Sequence, residues 1–120
     1  MKKNLFLPAV ALFLLFSLSQ SFAQTKPKGP VAPKPTVVPQ DINALLTKYS
    51  CLACHKADTK LIGPAYAEVA KKKYTPERML ELIYKPEPKN WPGYPPMAAL
   101  PNVPKEDGIK IAKWINTLAK

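Results

Sequence analysis

The chain has 120 residues, which leaves room for one small folded domain besides any processed segment. Its 18 lysines and arginines outnumber 8 aspartates and glutamates, so the formal charge is +10 with the single histidine neutral. Two cysteines cannot form a disulfide framework, and one histidine cannot supply a metal site built from several histidines. We therefore do not expect a multidomain enzyme or a disulfide-rich scaffold.

The first segment, residues 1–23, predicts a secretory signal peptide. Two lysines precede an uncharged run from Leu5 to Leu18, and small residues stand one and three positions before a cut after Ala23. An uncleaved anchor is the alternative, but the run is shorter than the roughly 20 residues of a spanning helix and contains a proline. We expect processing, a periplasmic location and no membrane span in the mature protein.

The second segment, residues 24–40, carries five prolines and three lysines and almost no bulky apolar side chain. Such a composition cannot build a core and predicts an extended tether that is partly polyproline helix. A ligand for a proline-recognising partner is the alternative. The folded domain is then expected over residues 41–120.

The third segment, residues 41–120, predicts an all-α fold because apolar residues recur at helical spacing and no convincing period-two strand occurs. Each predicted helix begins at a recognisable start signal. These signals are Asp41 as an N-cap, Gly63-Pro64, Thr75-Pro76-Glu77, and Pro104 or Lys105 for a last helix that continues to the end. A domain of this size with a thin core commonly needs an additional stabilising group.

The run Cys51-Leu52-Ala53-Cys54-His55 is a C-x-x-C-H motif, the attachment signature of c-type haem. Two thiols on one tight turn can each bond a vinyl group of a porphyrin, and the adjacent histidine can bind its iron. A dithiol redox pair or a zinc site is the alternative, but no strand precedes the motif and the ligands fall short of four. We predict one haem c with its iron, bound covalently through Cys51 and Cys54 and ligated by His55.

The second axial position of that iron could be filled by a methionine, by a lysine or by nothing, because His55 is the only histidine. Met79 lies inside the third predicted helix, where a methionine usually packs in the core. Met97 follows Pro95-Pro96 in a loop, and the two prolines restrict the backbone before it. We predict Met97 as the sixth ligand and Met79 as core, whereas a vacant position would suit a gas-binding sensor.

Several segments resemble those of the small bacterial monohaem class I cytochromes c, the cytochrome c551/c552 type, over nearly the whole of residues 41–120. The C-x-x-C-H motif is followed, in that family's order, by segments similar to its G-P-A-[FY] segment, its methionine loop and its A-K-W-[IV] segment. These are Gly63-Pro64-Ala65-Tyr66, Pro95-Pro96-Met97 and Lys113-Trp114-Ile115.

The resemblance implies a fold of four to five short helices around one covalent haem. It also implies that the Pro64 carbonyl accepts a hydrogen bond from the haem-binding histidine, and that Trp91 approaches a haem propionate. We expect an apolar wall around the haem from Leu45, Tyr66, Ile83, Ile111 and Trp114.

Ligation by histidine and methionine saturates the iron, which suits electron transfer and leaves no position for a substrate. We therefore expect an electron carrier rather than an enzyme, either free or as the haem subunit of a larger redox complex. Arg78 is expected to form only a surface pair with Glu77.

Lysines flank the predicted haem crevice in sequence and favour a redox partner with an acidic surface, such as an oxidase or a reductase. They are Lys56, Lys60, Lys71, Lys72, Lys73, Lys85 and Lys89. A solvated face that only aids solubility is the alternative. An exported chain without a base-reading motif does not suggest nucleic-acid binding, and we expect a monomer.

Overall fold

The computed structural model describes residues 34–120, and the predicted signal peptide and most of the predicted tether lie outside these residues. Four α-helices and two single-turn 3-10 helices occur in the described part. The α-helices are α1 (Gln40–Lys48), α2 (Tyr66–Lys71), α3 (Pro76–Tyr84) and α4 (Lys105–Asn116), and the 3-10 helices are Cys51–Ala53 and Pro88–Asn90. No strand is present between residues 34 and 120, so the all-α prediction is confirmed.

The start of α3 follows its sequence signal closely. The Thr75 hydroxyl accepts a hydrogen bond from the Arg78 backbone N–H at 3.1 Å, and Pro76 occupies the first turn, where its missing N–H costs nothing. The predicted cap of α1 is wrong. This helix begins two residues earlier, at Gln40 behind Pro39, and the Asp41 carboxylate instead pairs with the Lys110 ammonium on α4 at 2.9 Å.

The core is organised by α4, which packs against each of the other three α-helices. Its apolar face meets buried side chains from α1, α2 and α3, and Leu46 of α1 is fully buried. Met79 is only 4% exposed and belongs to this cluster, so its prediction as a core residue is confirmed. The buried cluster comprises Ile42, Leu46, Tyr66, Ala70, Met79, Ile111, Ala112, Trp114 and Ile115.

Gly108 lies where α4 packs against α3. A Cβ atom at this position would collide with the Leu80 side chain of α3, so any other residue would force Leu80 to move. The last helix is shorter than predicted, since it ends at Asn116, although Leu118 beyond it still packs against the core.

Residues 34–39 also contact the domain. The Thr36 backbone N–H and hydroxyl donate hydrogen bonds to the Asp58 carboxylate at 2.6 and 2.5 Å, and Val38 packs against the core. These bonds lower the pKa of Asp58. Within residues 34–120, no helix combines the length and the apolar character that crossing a membrane requires.

Candidate haem-binding site

A cavity of about 480 Å³ opens beside the first 3-10 turn. This volume lies in the range of roughly 300–1,000 Å³ that is usual for ligand and cofactor sites. Its wall is mostly apolar, and the chain brings every predicted site residue onto it. Those residues are Cys51, Cys54, His55, Pro64, Trp91 and Met97.

The two cysteines lie on a tight turn between α1 and α2. Ser50 adopts a left-handed conformation with φ of 57°, which reverses the chain at the end of α1. The Cys51 carbonyl then accepts hydrogen bonds from the N–H groups of Cys54 at 3.2 Å and His55 at 3.0 Å. Both thiols are free and partly buried, and burial raises the pKa of the Cys51 thiol.

The His55 imidazole is fixed in both tautomer and orientation. Its Nδ1 atom lies 2.8 Å from the Pro64 carbonyl oxygen, the contact that the resemblance implies. A carbonyl can only accept, so the neutral ring must carry its proton on Nδ1, and Nε2 keeps a lone pair for a metal. The ring also stacks on Tyr66, with ring centroids 5.2 Å apart, and burial is the main cause that raises the pKa of the Tyr66 phenol.

Gly63 permits this arrangement, a role that the sequence motif alone does not reveal. A Cβ atom at this position would lie 2.5 Å from the His55 Cε1 atom, so any other residue would displace the imidazole. The Gly63 N–H donates to the Cys54 carbonyl at 2.8 Å, which ties the glycine to the attachment turn.

We call residues 50–71 the attachment half of the site. The loop after His55 is joined to the start of α2 by backbone hydrogen bonds. The Lys56 carbonyl accepts from Tyr66 at 2.9 Å, and the Ala57 carbonyl accepts from Ala67 at 3.0 Å. N–H groups at the start of a helix have no partner within the helix, so the loop supplies acceptors that they need.

We call residues 75–103 the methionine half. Met97 is 39% exposed, and the chain beyond it returns to α3 through a hydrogen bond from the Leu100 N–H to the Ile83 carbonyl at 2.9 Å. The Tyr84 hydroxyl donates to the Val103 carbonyl at 2.8 Å. These contacts fix the end of the loop that carries the methionine.

Arg78 does not pair with Glu77, the partner that the sequence predicts. Its guanidinium binds Glu81 at 3.0 Å and Glu87 at 2.7 Å, because Glu81 lies one turn along α3 and the following loop folds back to bring Glu87 close. The arginine holds the pKa of Glu87 below its usual range. Glu87 is the one carboxylate among the described residues that line the cavity.

The predicted apolar wall is right for three residues and wrong for two. Tyr66, Ile83 and Ile111 line the cavity. Leu45 packs against the core away from it, and Trp114 meets the edge of Tyr66 with ring centroids 5.5 Å apart, so it supports the wall from behind. The prediction missed wall residues that helical spacing alone does not assign to the cavity, including Tyr49, Val69 and Leu82.

Two of the predicted crevice lysines lie at aromatic residues of the cavity wall. The Lys60 ammonium is 4.3 Å from the centroid of the Tyr94 ring, and the Lys72 ammonium is 4.9 Å from that of Trp91. Both distances are short enough for a cation–π interaction.

Comparison with known proteins agrees with this arrangement. No family model matches the chain. It is 35% identical over 92 residues to cytochrome c-551 of Stutzerimonas stutzeri, which covers 75% of this chain and 88% of that protein. It is 37% identical over 87 residues to cytochrome c2 of Rhodocyclus tenuis, covering 65% and 92% respectively. The solved structure of wild-type Nitrosomonas europaea cytochrome c552 has a TM-score of 0.58 and 32% identity, covering 63% of this chain and 98% of that one.

Fold and site together define an all-α haem protein, since the cavity offers two thiols and a lone-pair nitrogen within an otherwise apolar wall. The chain belongs to the small class I monohaem cytochromes c. It binds one haem c with its iron through Cys51 and Cys54, and it transfers electrons to and from redox partner proteins.

Proposed function

We propose that the chain is a periplasmic carrier of single electrons, with His55 and Met97 as the two axial ligands of its haem iron. The supporting observation is that two side chains far apart in sequence line the same cavity as both attachment thiols. The haem, when bound, supplies the one-electron chemistry. The protein's part is to bind it, orient its ligands and keep water away.

The proposed ligands favour a stable reduced state. A methionine thioether raises the reduction potential of haem iron, and an apolar wall disfavours the additional charge of the oxidised centre. The carboxylate of Glu87 on the wall has its charge balanced by Arg78. The hydrogen bond from His55 to Pro64 keeps the imidazole in one orientation while the charge of the iron changes.

Further roles belong to the same proposal. Trp91 lies on the cavity wall, and its indole N–H is a donor that would suit a haem propionate. With His55 on the iron, the chain has no second histidine for acid–base chemistry, and Arg78 is engaged by two carboxylates. We therefore propose an electron carrier without autonomous catalysis.

For partner and location, we propose a monomer that meets an acidic redox protein through the lysine-bearing side of the cavity. Residues 1–23 would direct export and be removed, residues 24–40 would serve as a tether whose last part, from Thr36, lies against the domain, and the cytochrome domain would span residues 41–120. The mass of secreted, haem-loaded protein tests the cleavage. A transfer rate that does not fall as ionic strength rises would contradict the acidic partner.

The assignment of Met97 as an iron ligand can be tested on the ferric protein. A weak long-wavelength absorption band reports a bond from a thioether sulfur to iron. We expect Met97→Ala to abolish the band, because Met79, the other methionine of the described chain, is packed in the core cluster. Met79→Leu is the matched control, since it removes a buried sulfur from the wall while nearly preserving core volume. A band that persists in Met97→Ala, or that disappears in Met79→Leu, would overturn the assignment.

A further inference from the structure

The helices of the two halves of the cavity wall have little direct contact with each other. In the described chain, α2 and α3 make no close backbone contact, and each packs separately against α4. Any direct contact between the halves therefore has to come from loops and side chains.

Side chains supply those contacts. The Tyr94 hydroxyl donates a hydrogen bond to the Glu68 carboxylate of α2 at 3.0 Å. The Lys72 ammonium, one turn further along the chain, lies over Trp91, and the Trp91 and Tyr94 rings meet edge to face with centroids 5.9 Å apart. We call Glu68, Lys72, Trp91 and Tyr94 the bridge cluster.

The segment that follows the bridge cluster has no hydrogen bonds of its own. Residues 95–99 form none with any other residue between 34 and 120. The nearest fixed points are Tyr94 on one side and Leu100, bonded to Ile83, on the other. The position of Met97 therefore depends on two anchors. Leu100 is bonded to Ile83 of its own half, and Tyr94 is bonded through its backbone N–H to the Trp91 carbonyl at 3.2 Å and through its hydroxyl to Glu68 of α2.

The chemistry of the bridge cluster suits a stable contact between the halves. Tyr94 donates to an ionised acceptor, which makes a stronger hydrogen bond than a neutral pair. Burial and the bond to Glu68 raise the pKa of the Tyr94 phenol, so it stays protonated and remains a donor. Lys72, the helical-conformation C-cap of α2, is four residues after Glu68, so both face the same loop.

We propose that Glu68 and Lys72 are positioning residues that hold the segment Trp91–Met97 closed across the cavity and thereby keep Met97 on the iron. The effect on Met97 rests on the proposed ligation by His55 and Met97. Lys72 thus has a role besides that of a surface charge, and the loss of the bridge would let small ligands compete for the sixth position.

Two measurements on the haem-loaded full chain test the proposal. The first is hydrogen exchange of the Trp91 and Tyr94 backbone amides, the two N–H groups of the segment that form backbone hydrogen bonds in the described chain, which reports opening of the loop whatever ligand the iron has. The second is the affinity of the ferric protein for imidazole in its neutral form, a probe that replaces a sulfur ligand without any transfer of protons or electrons.

We expect Tyr94→Phe and Glu68→Ala each to raise exchange and imidazole affinity about two- to tenfold, the effect of one net hydrogen bond. The double variant should show little more than the larger single effect, since both changes break the same bond. Glu77→Ala is the matched control, because Glu77 is also an acidic residue in the first turn of a helix and makes no ion pair among the described residues.

Lys72→Gln should raise amide exchange and imidazole affinity about two- to fivefold, because the cation–π contact with Trp91 is lost. The control Lys71→Gln, at the neighbouring lysine, should leave both unchanged. Bridge variants that match both controls in exchange and in imidazole binding would overturn the proposal. A wild-type protein without the thioether band would defeat the Met97 ligation separately, and exchange of the segment would still decide whether the bridge cluster closes the loop.

Discussion

The attachment half and the methionine half fix their proposed iron ligands in different ways. In the attachment half, the carbonyls of Cys54, Lys56 and Ala57 each accept a backbone hydrogen bond from a residue between 63 and 67, and His55 is held within that frame. In the methionine half, residues 95–99 form no hydrogen bond with the rest of the described chain, and side chains of α2 and α3 restrain the preceding loop.

This difference has a physical consequence for the two proposed iron ligands. The attachment half is held by backbone hydrogen bonds between residues close in sequence. Substitutions that add atoms should therefore disturb it, whereas changes in surface charge should not. A loop restrained by side-chain bonds and ion pairs should respond to charge, pH and single polar substitutions. Substitutions in each half can therefore show which kind of contact holds its proposed ligand.

The largest effect should follow from the double change Cys51→Ser/Cys54→Ser. Without the haem, the cavity of about 480 Å³ would separate the two halves, and a domain of this size has little other core to compensate. We expect loss of the cooperative thermal transition in circular dichroism. Ala53→Ser, which adds one hydroxyl to the same turn, is the control, and a cooperative transition in the double variant would contradict the expectation.

Gly63→Ala should have the next largest effect. The new Cβ would lie 2.5 Å from His55 Cε1, and the ring can move only by giving up its bond to Pro64 or its stacking on Tyr66. We expect a loss of about 2 kcal/mol in the free energy of unfolding, or roughly 8–16 °C in Tm.

Gly93→Ala provides the comparison in the methionine half. This glycine has φ of 85° and open space around its Cβ position, so alanine there would meet backbone strain but no collision. We expect a smaller loss of about 1 kcal/mol and an unchanged His55 environment. Equal effects of the two glycine changes on the haem spectrum would refute the contrast between the halves.

The smallest effect should come from Glu87→Gln. Because Arg78 lowers the pKa of Glu87 below its usual 4.5, this carboxylate stabilises the fold above that pH and loses its contribution as pH falls through the lowered value. The variant should therefore be slightly less stable than the wild type at neutral pH, and the difference should vanish in acid.

Urea unfolding across this pH range measures the Glu87 effect. Glu106→Gln, a change at a carboxylate that forms no ion pair in the described chain, is the control. A stability difference that persists unchanged below the lowered pKa would show that Glu87 acts through something other than its charge.

Features with local causes could be predicted from the sequence. The C-x-x-C-H turn, the start of α2 after Gly63-Pro64 and the Thr75 cap each lie within a few residues, so spacing and residue type define their geometry. Helical periodicity likewise identified Met79 as core, since the apolar face of α3 must be buried somewhere.

Which distant groups meet depends on how the chain packs in three dimensions. Asp41 pairs with Lys110 instead of capping its helix, Arg78 binds Glu87 across a loop, and Trp114 lies behind Tyr66 rather than on the cavity. The bond between Glu68 and Tyr94 has no signal in the sequence. Local patterns fix the face that a helix buries, but the partner of a long side chain depends on how the helices and loops pack around the haem cavity.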